Sequence, residues 1–167
     1  MSGLALIVDH EACWGCMACE VACKKENRVE PGLKFIRVSD QAVHLRHGKP
    51  YFSYQVDACR HSECAGTPCV AVCPTDAISV RADGVVVMDM DDCVACDLCP
   101  PACPYDAIVF NARLGVTQKC NMCHGRIDAG LIPACADNIC LAHCIYFGDP
   151  AQIRESIEAK RRVRDRC

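Results

Sequence analysis

Eighteen cysteines in a chain of 167 residues constrain this sequence more than any other feature. They make up roughly a tenth of the chain, which is far above ordinary usage. A short chain of this kind is either an extracellular disulfide scaffold or a metal protein. Sixteen of the cysteines fall into four runs: Cys13, Cys16, Cys19 and Cys23; Cys59, Cys64, Cys69 and Cys73; Cys93, Cys96, Cys99 and Cys103; and Cys120, Cys123, Cys135 and Cys140. Cys144 and Cys167 lie outside the runs.

The N-terminal segment argues against a disulfide scaffold, which needs an oxidising compartment and an export signal. The stretch "MSGLALIVDHEAC" has only about five apolar residues in a row and no basic start. That is too short for the apolar region of a signal peptide or for a membrane span. We expect this segment to form a first β-strand, and we expect a cytoplasmic protein. A periplasmic location stays open if a partner carries an export signal and both are exported folded.

Large side chains are scarce, with one Trp, four Tyr and four Phe. The organic core is therefore thin, and bound metal would supply folding energy in its place. The net charge is −3 with thiols counted as neutral, and the one basic stretch lies at the C-terminal end. This pattern does not indicate a nucleic-acid partner. The sequence has no glycine-rich nucleotide loop, P-loop or HExxH motif, so we expect no catalytic residues in this chain.

Short strands and helices between the cysteine runs predict a small, loop-rich α+β fold. Asp83-Gly84 is a strong hairpin turn, and Gly115 marks a second hairpin. His47-Gly48 lies in a further turn, and residues 18–25 contain good helix formers without Gly or Pro. The predicted strands are residues 33–38, 51–56, 77–80, 85–87, 108–110 and 116–117.

Residues 149–167 predict a helix with a basic end. Asp149 is a typical N-cap, Pro150 suits the first helical position and Gln152 completes a capping box. The C-terminal end, where the helix dipole favours cations, carries Lys160, Arg161, Arg162, Arg164 and Arg166. Two interpretations stay open: a solvated helix end, or an element that docks an acidic partner or a second copy of the chain.

The third cysteine run reads C-x2-C-x2-C-x3-C-P, with Pro104 at its end. In bacterial ferredoxins the fourth cysteine of such a run ligates a second cluster. The second run also ends in Cys73-Pro74, but four residues separate Cys59 from Cys64 at its start. The spacing therefore indicates iron–sulfur ligation across runs rather than within one run.

The segment "CPTDAISVRADGVVVMDMDDCVACDLCPPACPYDAI" resembles a two-cluster bacterial ferredoxin almost throughout. A 4Fe–4S cube takes one thiolate per iron, so each cluster needs four cysteines. The resemblance implies two ligand groups. Group 3 consists of Cys59, Cys64, Cys69 and Cys103, and group 4 consists of Cys73, Cys93, Cys96 and Cys99.

The first and fourth runs share another trait, because Lys24 follows Cys23 and Leu141 follows Cys140 where a proline would stand. We interpret these two runs as partners in a second, nested pairing. Group 1 then consists of Cys13, Cys16, Cys19 and Cys140, and group 2 of Cys23, Cys120, Cys123 and Cys135. The chain divides accordingly into a split ferredoxin-like module at 1–48 and 113–148, an inserted ferredoxin-like module at 49–112, and a C-terminal basic tail at 149–167.

Zinc is the alternative metal, because it commonly takes four thiolates from two CxxC pairs. The stretch "CNMC", with Cys135 after eleven intervening residues, fits such a site. The triple CxxCxxC runs have one thiolate too many for it. We interpret His61, His124 and His143 as surface or hydrogen-bonding residues, since sixteen cysteines already satisfy four clusters. Trp14 is either a shield of the first cluster or a packing residue.

Three further motifs extend the resemblance to about residues 5–150: "KCNMC", "GxxPAC" from Gly130 to Cys135, and "YFGDP" from Tyr146 to Pro150. With the order of the four runs, they are similar to the four-cluster iron–sulfur subunits beside molybdenum and tungsten enzymes. These include subunits of the DMSO reductase, thiosulfate or polysulfide reductase and formate dehydrogenase types. This chain departs from them in the longer spacing that opens run two and in the last run, which lacks the closing C-x3-C-P.

The resemblance favours Cys140 over Cys144 as the last ligand, because Phe147-Gly148-Asp149 then follows at the usual distance. Cys144 is interpreted as a small buried residue near a cluster, and Cys167 as an incidental terminal thiol.

The compact chain and its "CWGCMACEVACKKEN" stretch resemble the small subunits that accompany tungsten aldehyde oxidoreductases and benzoyl-CoA reductases. The resemblance implies a non-catalytic subunit with four 4Fe–4S clusters. It would wire electrons between a tungsten- or molybdenum-pterin catalytic subunit and a redox partner, such as a flavin- or NAD-binding subunit. The alternatives are an iron–sulfur subunit of the DMSO reductase family, a free polyferredoxin and a zinc-stabilised interaction module.

Overall fold

Five separate two-stranded antiparallel pairs, rather than one continuous sheet, make up the strands of the described chain. The computed structural model describes residues 3–46 and 48–164. The strands are β1 (Ala5–Val8), β2 (Ile36–Asp40), β3 (His44–Arg46), β4 (Lys49–Tyr51), β5 (Tyr54–Ala58), β6 (Ile78–Val80), β7 (Val86–Met88), β8 (Ile108–Asn111), β9 (Val116–Lys119) and β10 (Ile145–Gly148). The helices are α1 (Ala18–Asn27), α2 (Pro68–Ala71), α3 (Cys99–Ala102), α4 (His124–Asp128) and α5 (Pro150–Arg164). The expected loop-rich α+β fold is confirmed.

The first strand pairs with the last. β1 forms an antiparallel ladder with β10, in which Ala5 lies opposite Gly148 and Val8 opposite Ile145. The N-terminal segment is thus a strand, as predicted. Because the first cysteine run follows β1 and the fourth run precedes β10, this ladder brings the two runs to the same part of the molecule.

Both predicted hairpins are present. β6 pairs with β7 through a turn at Gly84, whose φ is +82°, and β8 pairs with β9 through Gly115, whose φ is +69°. Both turns place glycine in the left-handed region, which glycine enters without steric cost.

The other two predicted strands begin three residues later than expected, since β2 starts at Ile36 and β5 at Tyr54. The N–H of Leu33 closes a turn onto the carbonyl of Glu30, and this turn keeps Leu33 out of the strand. β2 and β5 pair with each other, and the small β3–β4 hairpin lies between them in the chain. Its turn includes Gly48, whereas His47 of the predicted turn lies outside the described residues.

Cysteines form a large part of the buried core. The larger apolar cluster contains six of them beside Phe35, Ile36, Val56 and Ile145: Cys19, Cys23, Cys120, Cys135, Cys140 and Cys144. A smaller cluster packs Cys69 and Cys99 with three aliphatic residues of β6, β7 and β8. Buried thiols therefore occupy positions in both apolar clusters that large side chains fill in most proteins.

The C-terminal helix α5 packs against the fold and begins as predicted. Oδ1 of Asp149 accepts the N–H groups of Ala151 and Gln152 at 2.9 and 3.1 Å, which caps the helix. Ile153 and Ile157 are buried, and the helix contacts β1 and β10. Among the described helices, none combines the length and the apolar character needed to cross a membrane.

Acidic residues near the N-terminus engage two arginines of the basic end of α5, whereas the Arg162 side chain on the same helix is 73% exposed. Arg161 lies 2.6 Å from the carboxylate of Asp9, which is buried, and Arg164 lies 2.5 Å from Glu11. Lys160 places its Nζ 4.7 Å from the ring centre of Tyr146. These contacts tie part of the basic end to the N-terminal segment, and both interpretations of the tail, a solvated end or a docking element, stay predictions. Arg166 and Cys167 lie outside the described residues.

Truncation of Ile157 to alanine should lower the free energy of unfolding by about 2–5 kcal/mol, because it leaves a cavity under α5. The matched control is Val163→Ala on the same helix, where the side chain is 65% exposed and the change should stay within about 0.5 kcal/mol. Anaerobic denaturant titration of both variants measures the difference. Equal, small effects would show that α5 does not depend on its apolar face.

Candidate metal centres

Every cysteine in the described part of the chain is a free thiol, and Cys167 lies outside that part. A disulfide scaffold is therefore excluded for residues 3–46 and 48–164. Most of these thiols are buried or half-buried, whereas Cys16 and Cys96 are exposed. Free thiols gathered at several buried positions are the donor set that metal clusters require.

The backbone of the cysteine loops alternates between residues in the right-handed and the left-handed region of φ. Gly15 and Met17 in the first run have φ of +68° and +58°, and Ala95 and Asp97 in the third run have φ of +52° and +59°. Left-handed residues between right-handed ones turn successive N–H groups into one concave surface, which binds anions and is found at many Fe–S sites. The N–H of Gly15 lies 3.5 Å from Sγ of Cys13, in keeping with that geometry.

The group 4 cysteines lie around one small cavity, together with Thr117. The buried hydroxyl of Thr117 lies 3.5 Å from Sγ of Cys93 and 3.6 Å from Sγ of Cys99. Burial acts to raise the pKa of Cys93, but hydrogen bonds from Thr117 and from the Ala95 N–H outweigh it and lower that pKa. The environment thus favours a thiolate at this position.

The group 3 cysteines line a second small cavity, with His61 and Lys119. Burial raises the pKa of Cys69 to about 11, although the charge of Lys119 acts in the opposite direction. The N–H of Ala107 donates to Sγ of Cys103 over 3.5 Å. A histidine and a lysine therefore share this site with the four thiols.

The group 1 cysteines line a third small cavity, and Cys144 lines it as well. Sγ of Cys144 lies 3.6 Å from Sγ of Cys140, and the Cys144 N–H donates to the Cys140 sulfur over 3.4 Å. The pKa of Cys144 is raised by its burial and by the neighbouring Cys140 and Cys13. Five sulfurs thus surround this cavity, and the sulfur of Cys140, like that of Cys13, accepts a backbone N–H.

The group 2 cysteines lie close enough for their charges to act on one another, and two of them share the side-chain amide of Asn27 as a hydrogen-bond donor. Burial raises the pKa of Cys135 well above its ordinary value, and the next largest causes are Cys120, Cys23 and Cys123. The side-chain amide of Asn27 lies 3.7 Å from both Cys23 Sγ and Cys123 Sγ. Residues from the N-terminal helix α1 and from beyond residue 119 therefore face one another.

Short helices connect neighbouring groups. α1 carries Cys19 of group 1 and Cys23 of group 2, one helical turn apart, or about 6 Å along the axis. Cys69 of group 3 lies in α2, and Cys99 of group 4 opens α3. The two short helices contact each other. Groups 2 and 3 are also close, because the charge of Cys59 acts on Cys120. The spatial order of the groups is therefore 1, 2, 3, 4.

The residues present fit cuboidal iron–sulfur clusters. Each group supplies four thiols, and N–H, amide or hydroxyl donors lie beside the sulfurs in all four groups. Burial opposes free thiolates, whereas coordination to a metal ion deprotonates a thiol outright. Across residues 3–46 and 48–164, no three His, Cys, Asp or Glu side chains converge in the manner of ligands to a single metal ion.

The other predicted side chains lie at different depths. Trp14 borders the group 1 cavity but is 65% exposed, so it is not a core residue. His124 is partly exposed beside Asp128, and the carbonyl of His143 lies 3.5 Å from Lys160 Nζ. His61, by contrast, is fully buried.

Sequence reasoning missed the donors that approach the sulfurs. Thr117 and Asn27 lie far from most of the cysteines that they contact, so no local spacing reveals them. Glu20 was missed too: it is buried on α1, accepts the Val38 N–H at 2.7 Å and pairs with Lys34 at 2.6 Å, which ties α1 to β2. Gly15 is a local signal that could have indicated a left-handed residue in the first cysteine loop.

Gly15→Ala should disrupt the first cysteine loop, because the added Cβ would lie 2.2 Å from the ring of Tyr54. The matched control is Gly32→Ala, which has the same left-handed backbone with φ of +87° but open space around the Cβ position. Both variants carry a backbone cost of about 1–2 kcal/mol. Only Gly15→Ala should also lose iron on anaerobic desalting, and equal iron content in the two variants would contradict the packing seen at Tyr54.

A model of the 4Fe-4S dicluster domain family matches residues 50–150. The thiosulfate reductase electron transfer subunit of Salmonella typhi is 35% identical, over 93% of this chain and 81% of its own length. The B subunit of the polysulfide reductase of Wolinella succinogenes is 36% identical, over 91% and 79%. The B subunit of the anaerobic dimethyl sulfoxide reductase of Haemophilus influenzae is 36% identical, over 87% and 74%.

These matches confirm the predicted 4Fe–4S clusters. The same matches confirm the prediction that the chain is an electron-transfer subunit rather than a catalytic one. They also favour the alternative of a DMSO reductase family subunit over the expected tungsten aldehyde oxidoreductase type, to which none of these relatives belongs. The chain belongs to the family of iron–sulfur electron-transfer subunits of DMSO, thiosulfate and polysulfide reductases.

Proposed function

We propose that this chain holds four 4Fe–4S clusters on groups 1 to 4 and serves as the electron wire of a reductase complex. The carrying observation is the spatial order of the groups, in which neighbours are joined by short helices or by direct charge interaction. Bound clusters supply one-electron redox centres. The chain's own residues hold the thiolates, exclude water from the inner sulfurs and direct N–H and O–H donors at them.

The same observations support two nested ferredoxin-like modules. The β1–β10 ladder closes the split module, proposed at residues 1–48 and 113–148, around the inserted module at 49–112. The buried cysteines of the larger apolar cluster belong to groups 1 and 2, and those of the smaller cluster belong to groups 3 and 4. Cys59 of group 3 also packs against the larger cluster. In this proposal Cys140 ligates the group 1 cluster, and Cys144 supports it through its N–H.

Electrons would enter and leave at the two outer groups. The exposed cysteines, Cys16 and Cys96, belong to groups 1 and 4, which are the ends of the series. Each end also presents apolar surface: Trp14 at one, and Val94, which is 62% exposed, at the other. Apolar side chains beside a poorly covered cluster suit contact with partner proteins.

We propose that one partner is a molybdenum-pterin catalytic subunit of the DMSO reductase type. The support is that the relatives are subunits of DMSO, thiosulfate and polysulfide reductases. The second partner would be an electron-donating subunit at the other end, and a flavin- or NAD-binding subunit would also fit there. A cytoplasmic location, with co-export on a signal-bearing partner as the alternative, stays a prediction.

Metal analysis of the native complex, purified anaerobically through a tag on this chain, tests the function. The proposal predicts about sixteen irons per chain, four for each of four clusters, and molybdenum in a stable heteromer. Tungsten instead of molybdenum in the heteromer would show that the catalytic partner is a tungsten enzyme. Zinc in place of iron, or a chain that purifies alone with its clusters, would contradict the wire of a reductase complex.

Cys23→Ser tests the nested pairing, with Cys19→Ser on the same helix as the matched variant. The pairing assigns the two cysteines to different clusters, so the EPR spectrum of each reduced variant should lose a different signal. Cys23→Ser should reproduce the spectrum of Cys135→Ser, a ligand variant 112 positions away, since the groups place both on cluster 2. If it reproduced Cys19→Ser instead, the pairing would be wrong.

A further inference from the structure

His61 is completely buried, and its ring has a fixed orientation. The Val86 N–H donates to its Nδ1 over 3.1 Å. Because Nδ1 accepts that bond, the proton of the neutral imidazole sits on Nε2. Nε2 is buried and has no hydrogen-bond partner within the described residues. A buried donor without a partner is rare in native proteins and points to a group that the protein atoms do not supply.

The ring of His61 lines the group 3 cavity, beside all four thiols of that group. The lining includes the hydroxyls of Thr67 and Tyr105 beside the four thiols, but none of these groups accepts a hydrogen bond from Nε2. The acceptors that the protein atoms do not supply are the sulfur atoms of the cluster proposed above. An N–H···S bond to a cluster or its ligands is a principal means by which a protein sets the reduction potential. The unused Nε2–H of His61 is placed for such a bond.

Lys119 brings a positive charge to the same cavity. Its side chain is buried, and its Nζ donates to the carbonyls of Val86 and, at 2.7 Å, of Cys120. No carboxylate in the described part of the chain forms an ion pair with it. A buried cation is costly without a counter-charge, and the thiols of group 3 with their cluster share the cavity of Lys119. The charge of Lys119 also acts on Cys120 of group 2.

One residue holds both side chains. The N–H of Val86 binds His61, and the carbonyl of Val86 binds Lys119. Val86 lies on β7, whose hairpin with β6 is part of the inserted module. The strand therefore orients a hydrogen-bond donor and a cation toward one cluster site.

We propose that His61 and Lys119 raise the reduction potential of the group 3 cluster, the first through an Nε2–H···S hydrogen bond and the second through its charge. Reduction adds one negative charge to the cluster. A donor and a cation beside the sulfurs therefore stabilise the reduced form more than the oxidised form. The inference rests on the proposed ligation of that cluster by Cys59, Cys64, Cys69 and Cys103.

Two substitutions of His61 distinguish an effect on the reduction potential of the group 3 cluster from a merely structural function. His61→Asn keeps a carbonyl oxygen where Nδ1 accepts the Val86 N–H but removes the donor at the Nε2 position. His61→Gln keeps an N–H donor near the Nε2 position but gives up the fixed ring. The proposal predicts at least a tenfold loss of electron affinity in His61→Asn, a fall of about 59 mV for one electron, and a potential near wild type in His61→Gln. The reverse order would assign His61 a structural function alone.

Lys119 is tested in the same way, with Lys119→Arg keeping the charge and Lys119→Met removing it at similar length. Lys119→Met should lower the electron affinity of the group 3 cluster at least tenfold. Lys119→Arg should keep a group 3 reduction potential close to that of the wild type. Equal potentials in Lys119→Met and wild type would overturn the electrostatic part of the proposal.

The measurement is an EPR-monitored redox titration of the intact anaerobic protein, with iron content determined for each sample. The signal that Cys64→Ser alters identifies the group 3 cluster, and the clusters of groups 1 and 4 serve as internal controls. Full iron content with an unmoved group 3 potential in His61→Asn and Lys119→Met would refute this inference. A wild-type protein without four cluster signals would instead refute the proposed function on which it rests.

Discussion

The structure depends on buried sulfur that must carry negative charge. Cys120 and Cys135 lie in the larger core, and burial raises the pKa of both thiols. Free thiolates at such positions would be poorly solvated and would repel one another. A bound iron–sulfur cluster removes both penalties, so the binding energy of the metal is also folding energy. Five unconnected strand pairs and a thin organic core are consistent with a fold assembled around its cofactors.

The arrangement also explains how so small a chain connects distant partners. Helices only a few residues long carry or adjoin cysteines of two neighbouring groups, so the helical rise sets the separation of adjacent sites. The inner sulfurs are buried in apolar clusters, and the outer groups expose Cys16 and Cys96. Solvent exposure, burial and hydrogen bonds to sulfur all affect the reduction potential. The same packing that holds the clusters therefore also shapes the path for electrons.

The sequence allowed much of this to be predicted, because cluster ligation imposes local spacing. The three cysteines within each CxxCxxC loop, the helix after Met17 and the hairpins at Gly84 and Gly115 all follow from short-range patterns. The contacts that were missed join residues far apart in the chain. Arg161 meets Asp9 across 152 positions, and Asn27 meets Cys123 across 96. No local pattern encodes such contacts. Even the family resemblance, weighted by the opening cysteine run, favoured a tungsten enzyme type to which none of the relatives reported above belongs.

The central claim is that one chain holds four clusters in the order of groups 1, 2, 3 and 4. Anomalous diffraction at the iron absorption edge, from crystals grown anaerobically, tests it most directly because it locates iron without assuming ligands. The account predicts four iron peaks in a single series, with the terminal peaks beside Cys16 and Cys96 and with Cys23 on the second peak. Fewer than four peaks, or Cys23 bound to the same peak as Cys13, would contradict it.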